Sequence, residues 1–142
     1  MKRLFIILGL AVSSCTTSQG PSIVIRASSV SAAQIIDATH LHRHTVDEIE
    51  VVVVQQVRGD GLLTFHLNGQ PMAKLAPDEM IRFYLSPGRY RFGIAPSYNF
   101  GRSGFWEMNA DVSQNTKQVY RIFQSAGFTS SGGNAVYEIS RY

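Results

Sequence analysis

Residues 62–96 constrain the fold most, because they contain four short strand patterns separated by turn signals. Asn68-Gly69 ends the first pattern and is a dipeptide that accepts the positive φ angles of a two-residue hairpin turn. A second turn is expected at Pro87-Gly88, where proline presets φ and glycine is expected to supply a positive φ. The apolar positions that alternate with mostly polar ones around this second turn are Ile81, Phe83 and Leu85 before it and Tyr90, Phe92 and Ile94 after it. The stretch therefore predicts an antiparallel β module with one apolar and one solvated face.

Further strand patterns lie on both sides of this module. Residues 49–57 (IEVVVVQQV) are β-branched and nearly continuous, which predicts a central strand buried on both faces. Residues 105–112, 119–124 and 135–142 are three more predicted strands, and Ser31 is expected to cap a short helix. Seven to eight short strands with turns between them predict an all-β fold, a small antiparallel β-sandwich, with a small barrel as the alternative.

The amino terminus has the parts of a secretory signal peptide. Two basic residues, Lys2 and Arg3, precede an apolar run over residues 4–12 that is too short to span a bilayer. Small residues follow and end at Cys15, the only cysteine of the chain. Residues 1–14 are therefore predicted to be removed on export.

The segment Val12-Ser13-Ser14-Cys15 resembles the bacterial lipobox, which implies that residues 1–14 are a lipoprotein signal peptide and that Cys15 is lipidated. The alternative is a buried core cysteine after an ordinary first strand. Residues 15–22 are expected to form the lipidated cysteine and a flexible tether, and residues 23–142 the β-sandwich domain. Since Thr16 follows the cysteine, where aspartate marks inner-membrane retention in enteric bacteria, the resemblance implies the periplasmic face of the outer membrane.

The charge balance argues against nucleic acid as a partner. The chain has 13 Lys and Arg residues against 10 acidic ones, so removal of Lys2 and Arg3 leaves 13 − 2 = 11 cations and a nearly neutral domain. No basic stripe remains that would neutralise phosphates.

The order of strands and turns resembles bacterial lipoproteins of the domain of unknown function 2846 and, more loosely, PEGA-like surface modules. The likeness covers residues 49–123 and is marked by Asn68-Gly69, Leu75, Pro87-Gly88-Arg89-Tyr90 and Val119-Tyr120. Arg58 stands where the family commonly has a basic residue, whereas the segment 28–46 lies outside the pattern. The resemblance implies a β fold on a lipid anchor and brings no activity with it.

One histidine cluster is a candidate metal site. In an extended segment His40, His42 and His44 would point to the same side, and Asp37, Asp47 or Glu48 are candidates to complete a shell around Zn²⁺ or Cu²⁺. The spacing of about 7 Å between alternate residues of a strand is long for three ligands of one ion. The competing interpretation is a solvated connector without a metal. No other cofactor is expected.

Catalysis is not expected. Serines are plentiful, but none sits in a nucleophile elbow, and the adjacent acidic pair Asp78 and Glu79 follows a proline as turn residues do. We therefore expect the protein not to be an enzyme.

Aromatic residues near an arginine give a candidate surface for a protein partner. Aromatic side chains and arginine are enriched where proteins bind one another. The predicted partner-binding residues are Tyr98, Phe100, Arg102 and Trp106. The expected function is that of a lipid-anchored, periplasm-facing envelope module that binds another envelope protein as an accessory or scaffold. The alternative is an envelope sensor that binds a small ligand or a metal through His40, His42 and His44.

Overall fold

The computed structural model describes residues 27–57, 61–97, 104–113, 117–125 and 136–142. The signal peptide, Cys15 and the tether lie outside the described residues, as do Arg58, Tyr98, Phe100 and Arg102. The described chain forms, in order, β1 (Ser28–Ser29), a 3-10 helix (Ala32–Gln34), β2 (Ile49–Gln55), β3 (Leu63–Leu67), β4 (Gln70–Leu75), β5 (Glu79–Leu85), β6 (Gly88–Pro96), β7 (Trp106–Val112), β8 (Gln118–Ser125) and β9 (Val136–Arg141).

The strands form two sheets that pack face to face. One sheet has five strands in the order β1-β5-β2-β8-β9, and the other has four in the order β4-β3-β6-β7. Neighbouring strands are antiparallel except for two parallel pairs, β1 with β5 and β2 with β8. The predicted all-β sandwich is confirmed over the described residues, whereas the barrel alternative is wrong. The described part of the chain has nine strands where seven to eight were expected, and one of them, β1, has only two residues.

The core between the sheets is built on four aromatic rings. Phe65 and Phe92 come from the four-stranded sheet, and Phe83 and Tyr120 from the five-stranded one; each is at most 1% exposed. Phe92 contacts the other three, at centroid distances of 5.6 Å to Phe65, 6.0 Å to Phe83 and 4.9 Å to Tyr120. All three contacts are close to edge-to-face, the arrangement that aromatic pairs favour. The alternation predicted for β5 and β6 supplies two of these rings, Phe83 and Phe92.

The predicted central strand is confirmed. β2 lies between β5 and β8, and its valines are buried on both faces: Val51 and Val53 face the core, and Val52 and Val54 on the opposite face are each 1% exposed. A strand that is buried on both faces has no solvent-facing positions where polar residues would alternate with apolar ones, which explains the continuous apolar run.

The turn at Asn68-Gly69 is also confirmed. Both residues have positive φ, 51° and 82°, and they join β3 to β4. Asn68 also extends the pairing of β3 with β6, because its N–H donates to the carbonyl of Arg91 at 2.8 Å and its Oδ1 accepts from the Arg91 N–H at 2.9 Å. The turn therefore fixes three strands.

Four connections between successive strands pass from one sheet to the other, namely β2 to β3, β4 to β5, β5 to β6 and β7 to β8. β5 pairs with β2 in one sheet and β6 with β3 in the other, so the chain crosses the sandwich at Pro87-Gly88. Gly88 has no positive φ and is the first residue of β6, which contradicts the expected role of this glycine. β7 and β8 also belong to different sheets. The module predicted over residues 62–96 is therefore divided between the two sheets.

The segment before β2 closes one side of the sandwich. β1 pairs with the outer edge of β5, and Ile35 forms a bridge with Ala73 of β4. The amide groups of Ile36 and Asp37 both donate to the carbonyl of Met72, at 2.9 and 3.1 Å. The expected helix is shortened to three residues. The predicted cap is wrong, because the Ser31 hydroxyl makes no capping bond to the backbone and donates to the Gln34 side chain instead. This segment therefore covers the outer edges of β4 and β5.

Candidate functional site: an open cleft between two edge strands

The opposite side of the sandwich brings two edge strands together. β7 is the last strand of one sheet and β9 the last strand of the other, and within the described residues neither has a second backbone partner. The rings of Trp106 on β7 and Tyr137 on β9 meet edge to face, with 4.9 Å between centroids and 79° between planes. We call this region the β7–β9 cleft.

Strand periodicity places the apolar floor of the cleft. Successive side chains of a strand point to opposite faces, so alternate residues of β7 and of β9 turn inward. These inward residues are Trp106 and Met108 on β7 and Tyr137 and Ile139 on β9, all partly buried against the core. The strand predicted over residues 105–112 is confirmed, and its burial pattern places Trp106, Met108, Ala110 and Val112 on one side.

The cleft has a volume of about 360 Å³ and a mixed rim. Phe105, Glu107 and Glu138 join the four floor residues in lining it. The lining contains two carboxylates and no lysine or arginine. A volume at the small end of the range for ligand pockets accommodates a few side chains of a partner. The cleft can therefore bind apolar groups in its floor and positive charge at its rim.

Two glycines shape the aromatic rim. A Cβ atom on Gly93 of β6 would lie 2.6 Å from Cζ of Phe105, so the absent side chain leaves room for that ring on the sheet. His66 completes the contact, edge to face with Phe105 at 5.1 Å. Gly104 is covered in the same way by the indole of Trp106, which contacts the position a Cβ atom would take. Phe105 is nevertheless 51% exposed, at the mouth of the cleft.

Trp106 is the only predicted partner-binding residue that the structure describes, and it lies in the cleft. Met108, Tyr137, Ile139, Glu107 and Glu138 were not predicted as site residues. Tyr137 and Ile139 are alternate residues of the strand predicted over residues 135–142, but only the topology shows that this face adjoins Trp106.

The histidine segment is folded into turns and is not an extended strand. His42 and His44 are exposed and His40 is half-buried. The backbone carbonyl of His40 accepts from the Tyr84 N–H at 2.8 Å, and the His44 ring lies 2.9 Å from the Thr39 carbonyl. The alternation that the metal hypothesis assumed for the three imidazoles is therefore absent from this segment.

The acidic residues near these histidines are engaged locally. The Thr39 hydroxyl and N–H donate to Asp37 Oδ1 at 2.6 and 2.9 Å and hold the pKa of Asp37 below its usual value. A hydrogen bond from the Thr45 side chain lowers the pKa of Asp47, and Glu48 accepts from the His44 N–H at 2.6 Å. Among the described residues, no group of three or more His, Cys, Asp or Glu side chains is placed to hold a metal ion. Metal binding stays a prediction.

Over the described residues, the fold and the cleft together define a small all-β sandwich with one covered and one uncovered side. Comparison of the chain with protein-family models, with curated proteins and with solved structures found no match. The resemblance to the domain of unknown function 2846 stays a prediction. In the part of the chain that the structure describes, no helix has the length and hydropathy needed to cross a bilayer.

Proposed function

We propose that the protein is a lipid-anchored lipoprotein at the periplasmic face of the outer membrane that binds another envelope protein through the β7–β9 cleft. In this role it is an accessory or scaffold module and catalyses no reaction. The anchor is the lipid on Cys15, and residues 15–22 tether the domain to it.

The observation that supports binding at the cleft is the contrast between the two sides of the sandwich. The chain covers the edges of β4 and β5 with its own residues 28–37, and over the described residues it leaves β7 and β9 uncovered. Uncovered strand edges pair readily with another chain, and proteins usually protect them. Aromatic residues such as Trp106 and Tyr137 are also the residue types enriched in binding surfaces. A partner bound at this side would bury both the uncovered strand edges and the aromatic residues.

Site-specific photocrosslinking in intact envelopes tests the proposal. A benzophenone amino acid replaces Phe105, which is 51% exposed at the cleft mouth, and a control protein carries it in place of Val46, which is 96% exposed and does not line the cleft. We expect irradiation to give a discrete protein adduct from position 105 and none from position 46.

The same experiment in the Cys15→Ala protein tests the anchor. Without the lipid we expect the chain to leave the membrane fraction and the adduct at position 105 to be lost. Equal labelling from both positions, or no adduct at either, would contradict binding at the cleft. An unchanged membrane fraction of the Cys15→Ala protein would contradict the lipid anchor.

A further inference from the structure

We propose that the partner enters the β7–β9 cleft as an extended segment in which apolar residues alternate with lysine or arginine, and that this segment pairs with β7 as a fifth strand of its sheet. The inference rests on the proposed function and specifies the chemistry of the partner. It follows from the free edge of β7, from the charges on its exposed face and from the floor of the cleft.

The exposed face of β7 is acidic next to a basic strand. Glu107 and Asp111 point outward from β7, and Arg89 and Arg91 point outward from the neighbouring β6. Arg89 lies opposite Asp111, and Arg91 Nη1 is 3.8 Å from Glu107 Oε2. Opposite charges on adjacent strands stabilise a sheet, whereas like charges destabilise it. A strand added at the free edge of β7 would therefore be favoured if its outward side chains were basic.

The other sheet contains a complete example of this arrangement. Glu50 on the central strand β2 lies between cations from both sides: its Oε1 is 3.0 Å from Arg82 Nε on β5 and 3.0 Å from Lys117 Nζ beside β8. Among the described residues, Glu107 has such a cation on the β6 side only. A basic residue of the partner would take the position at Glu107 that Lys117 takes at Glu50.

The inward side of the added strand would face the cleft floor. Trp106 and Met108 turn inward on β7, and Tyr137 and Ile139 face them from β9. Because alternate residues of a strand point to opposite faces, the residues between the basic ones would enter this floor and should be apolar. Glu138 on the rim adds a second carboxylate and favours the same sign of charge. The outward face of β7 therefore favours basic residues in the partner and the inward face favours apolar ones, which gives the alternating sequence of the proposed segment.

Titration with a synthetic peptide tests the inference. The probe is an eight-residue peptide of alternating valine and lysine with blocked ends, and the control peptide has glutamate in place of lysine. Trp106 is the only tryptophan of the chain and lies in the cleft, so its emission reports binding directly. We expect the valine–lysine peptide to shift this emission to saturation and the valine–glutamate peptide to leave it unchanged.

Variants separate charge from strand pairing. Removing the two carboxylates that point outward from β7, in the Glu107→Gln/Asp111→Asn protein, should weaken binding of the valine–lysine peptide about five- to tenfold. Asp47→Asn removes a carboxylate that does not line the cleft and should leave binding unchanged. Because a paired strand donates alternate N–H groups, N-methylation of the peptide on the edge that faces β7 should abolish binding.

The outcomes distinguish this inference from the function on which it rests. If the valine–lysine peptide does not bind while position 105 crosslinks to a protein, the alternation is wrong and the proposed function stands. Equal binding of both peptides would contradict the role of charge, and unchanged binding of the N-methylated peptide would contradict pairing with β7. If sedimentation shows a dimer of this chain that excludes the peptide, the occupant is a second copy and the inference is overturned.

Discussion

Replacing Gly69 by alanine is expected to destabilise the protein through the backbone alone. Gly69 has a φ of 82°, and no atom lies within 4 Å of the position that a Cβ atom would take. A residue with a side chain in the left-handed region costs about 1–2 kcal/mol. Alanine also has fewer conformations than glycine in the unfolded chain, which offsets about 0.4–1 kcal/mol of that cost. The net loss in the free energy of unfolding should therefore be roughly 1 kcal/mol.

Gly61→Ala is the matched control for this change. Gly61 also has open space around its Cβ position, but its φ lies outside the left-handed region. The effect on the unfolded chain is the same in both variants, so it cancels in their difference. We expect Gly61→Ala to stabilise the protein by about 0.4–1 kcal/mol and the two variants to differ by about 1–2 kcal/mol.

Urea unfolding followed by far-ultraviolet circular dichroism and by Trp106 fluorescence measures both variants. With an m-value of about 1–3 kcal/mol/M, the two midpoints should differ by roughly 0.3–2 M. Equal midpoints would show that the turn tolerates a side chain at Gly69. The assignment of a positive φ to that residue, and with it the geometry that joins β3, β4 and β6, would then be wrong.

Two further predictions concern buried contacts. Burial raises the pKa of Tyr120, while the charge of Arg141 lowers it and that of Asp111 raises it. The folded protein therefore favours the neutral phenol. The stability that this preference contributes is complete below about pH 10 and is lost as the pH rises through the higher pKa of the folded state. Tyr120→Phe should lower the free energy of unfolding by about 1 kcal/mol at neutral pH, because Gln118 Oε1 loses its hydrogen-bond donor at 2.9 Å. The same variant should reduce the alkaline loss of stability, measured by urea unfolding from pH 8 to 11. Gly104→Ala should displace the Trp106 ring and change its emission, whereas Gly88→Ala, with its nearest contact at 3.5 Å, should leave the emission unchanged.

The outcomes that contradict these two predictions are equally specific. Burial also raises the pKa of Tyr90, which stays in both proteins and contributes the same alkaline loss to each. Parallel pH profiles for Tyr120→Phe and the unsubstituted protein would therefore show that Tyr120 is not the group that titrates. An unaltered emission spectrum of Gly104→Ala would show that the indole does not rest on Gly104.

The sequence predicted the strands better than their partners. Alternation located β5 and β6 because one face of each strand is buried whichever sheet it joins. Turn signals such as Pro87-Gly88 report a reversal of the chain over a few residues, and that reversal is the same whether the next strand pairs with the last one or crosses to the other sheet. Which strands pair is decided by how strands that are far apart in sequence are buried against one another. For example, the second neighbour of β2 in its sheet is β8.

The same limit applies to the candidate site. Trp106 was predicted from residue type and from its neighbours in sequence, since aromatic residues near an arginine are typical of binding surfaces. Tyr137 and Ile139 come from a strand that adjoins Trp106 only because β9 is the last strand of its sheet. The extended geometry assumed for the histidines at 40, 42 and 44 failed for a local reason, because Thr39, Thr45 and Glu48 bond into turns there.

The parallel pairing of β2 with β8 also determines when the domain can fold. Val51 lies opposite Gln118, so the four consecutive valines of β2 lack their neighbour on one side until β8, which lies in the last third of the chain, has been synthesised. Such a segment, β-branched and nearly free of charge, is prone to pair with other copies of the chain until β8 pairs with it. Contacts between residues this far apart in sequence also slow folding. Synthesis of the carboxy-terminal strands therefore sets the earliest moment at which this sandwich can close and at which its most aggregation-prone strand is protected.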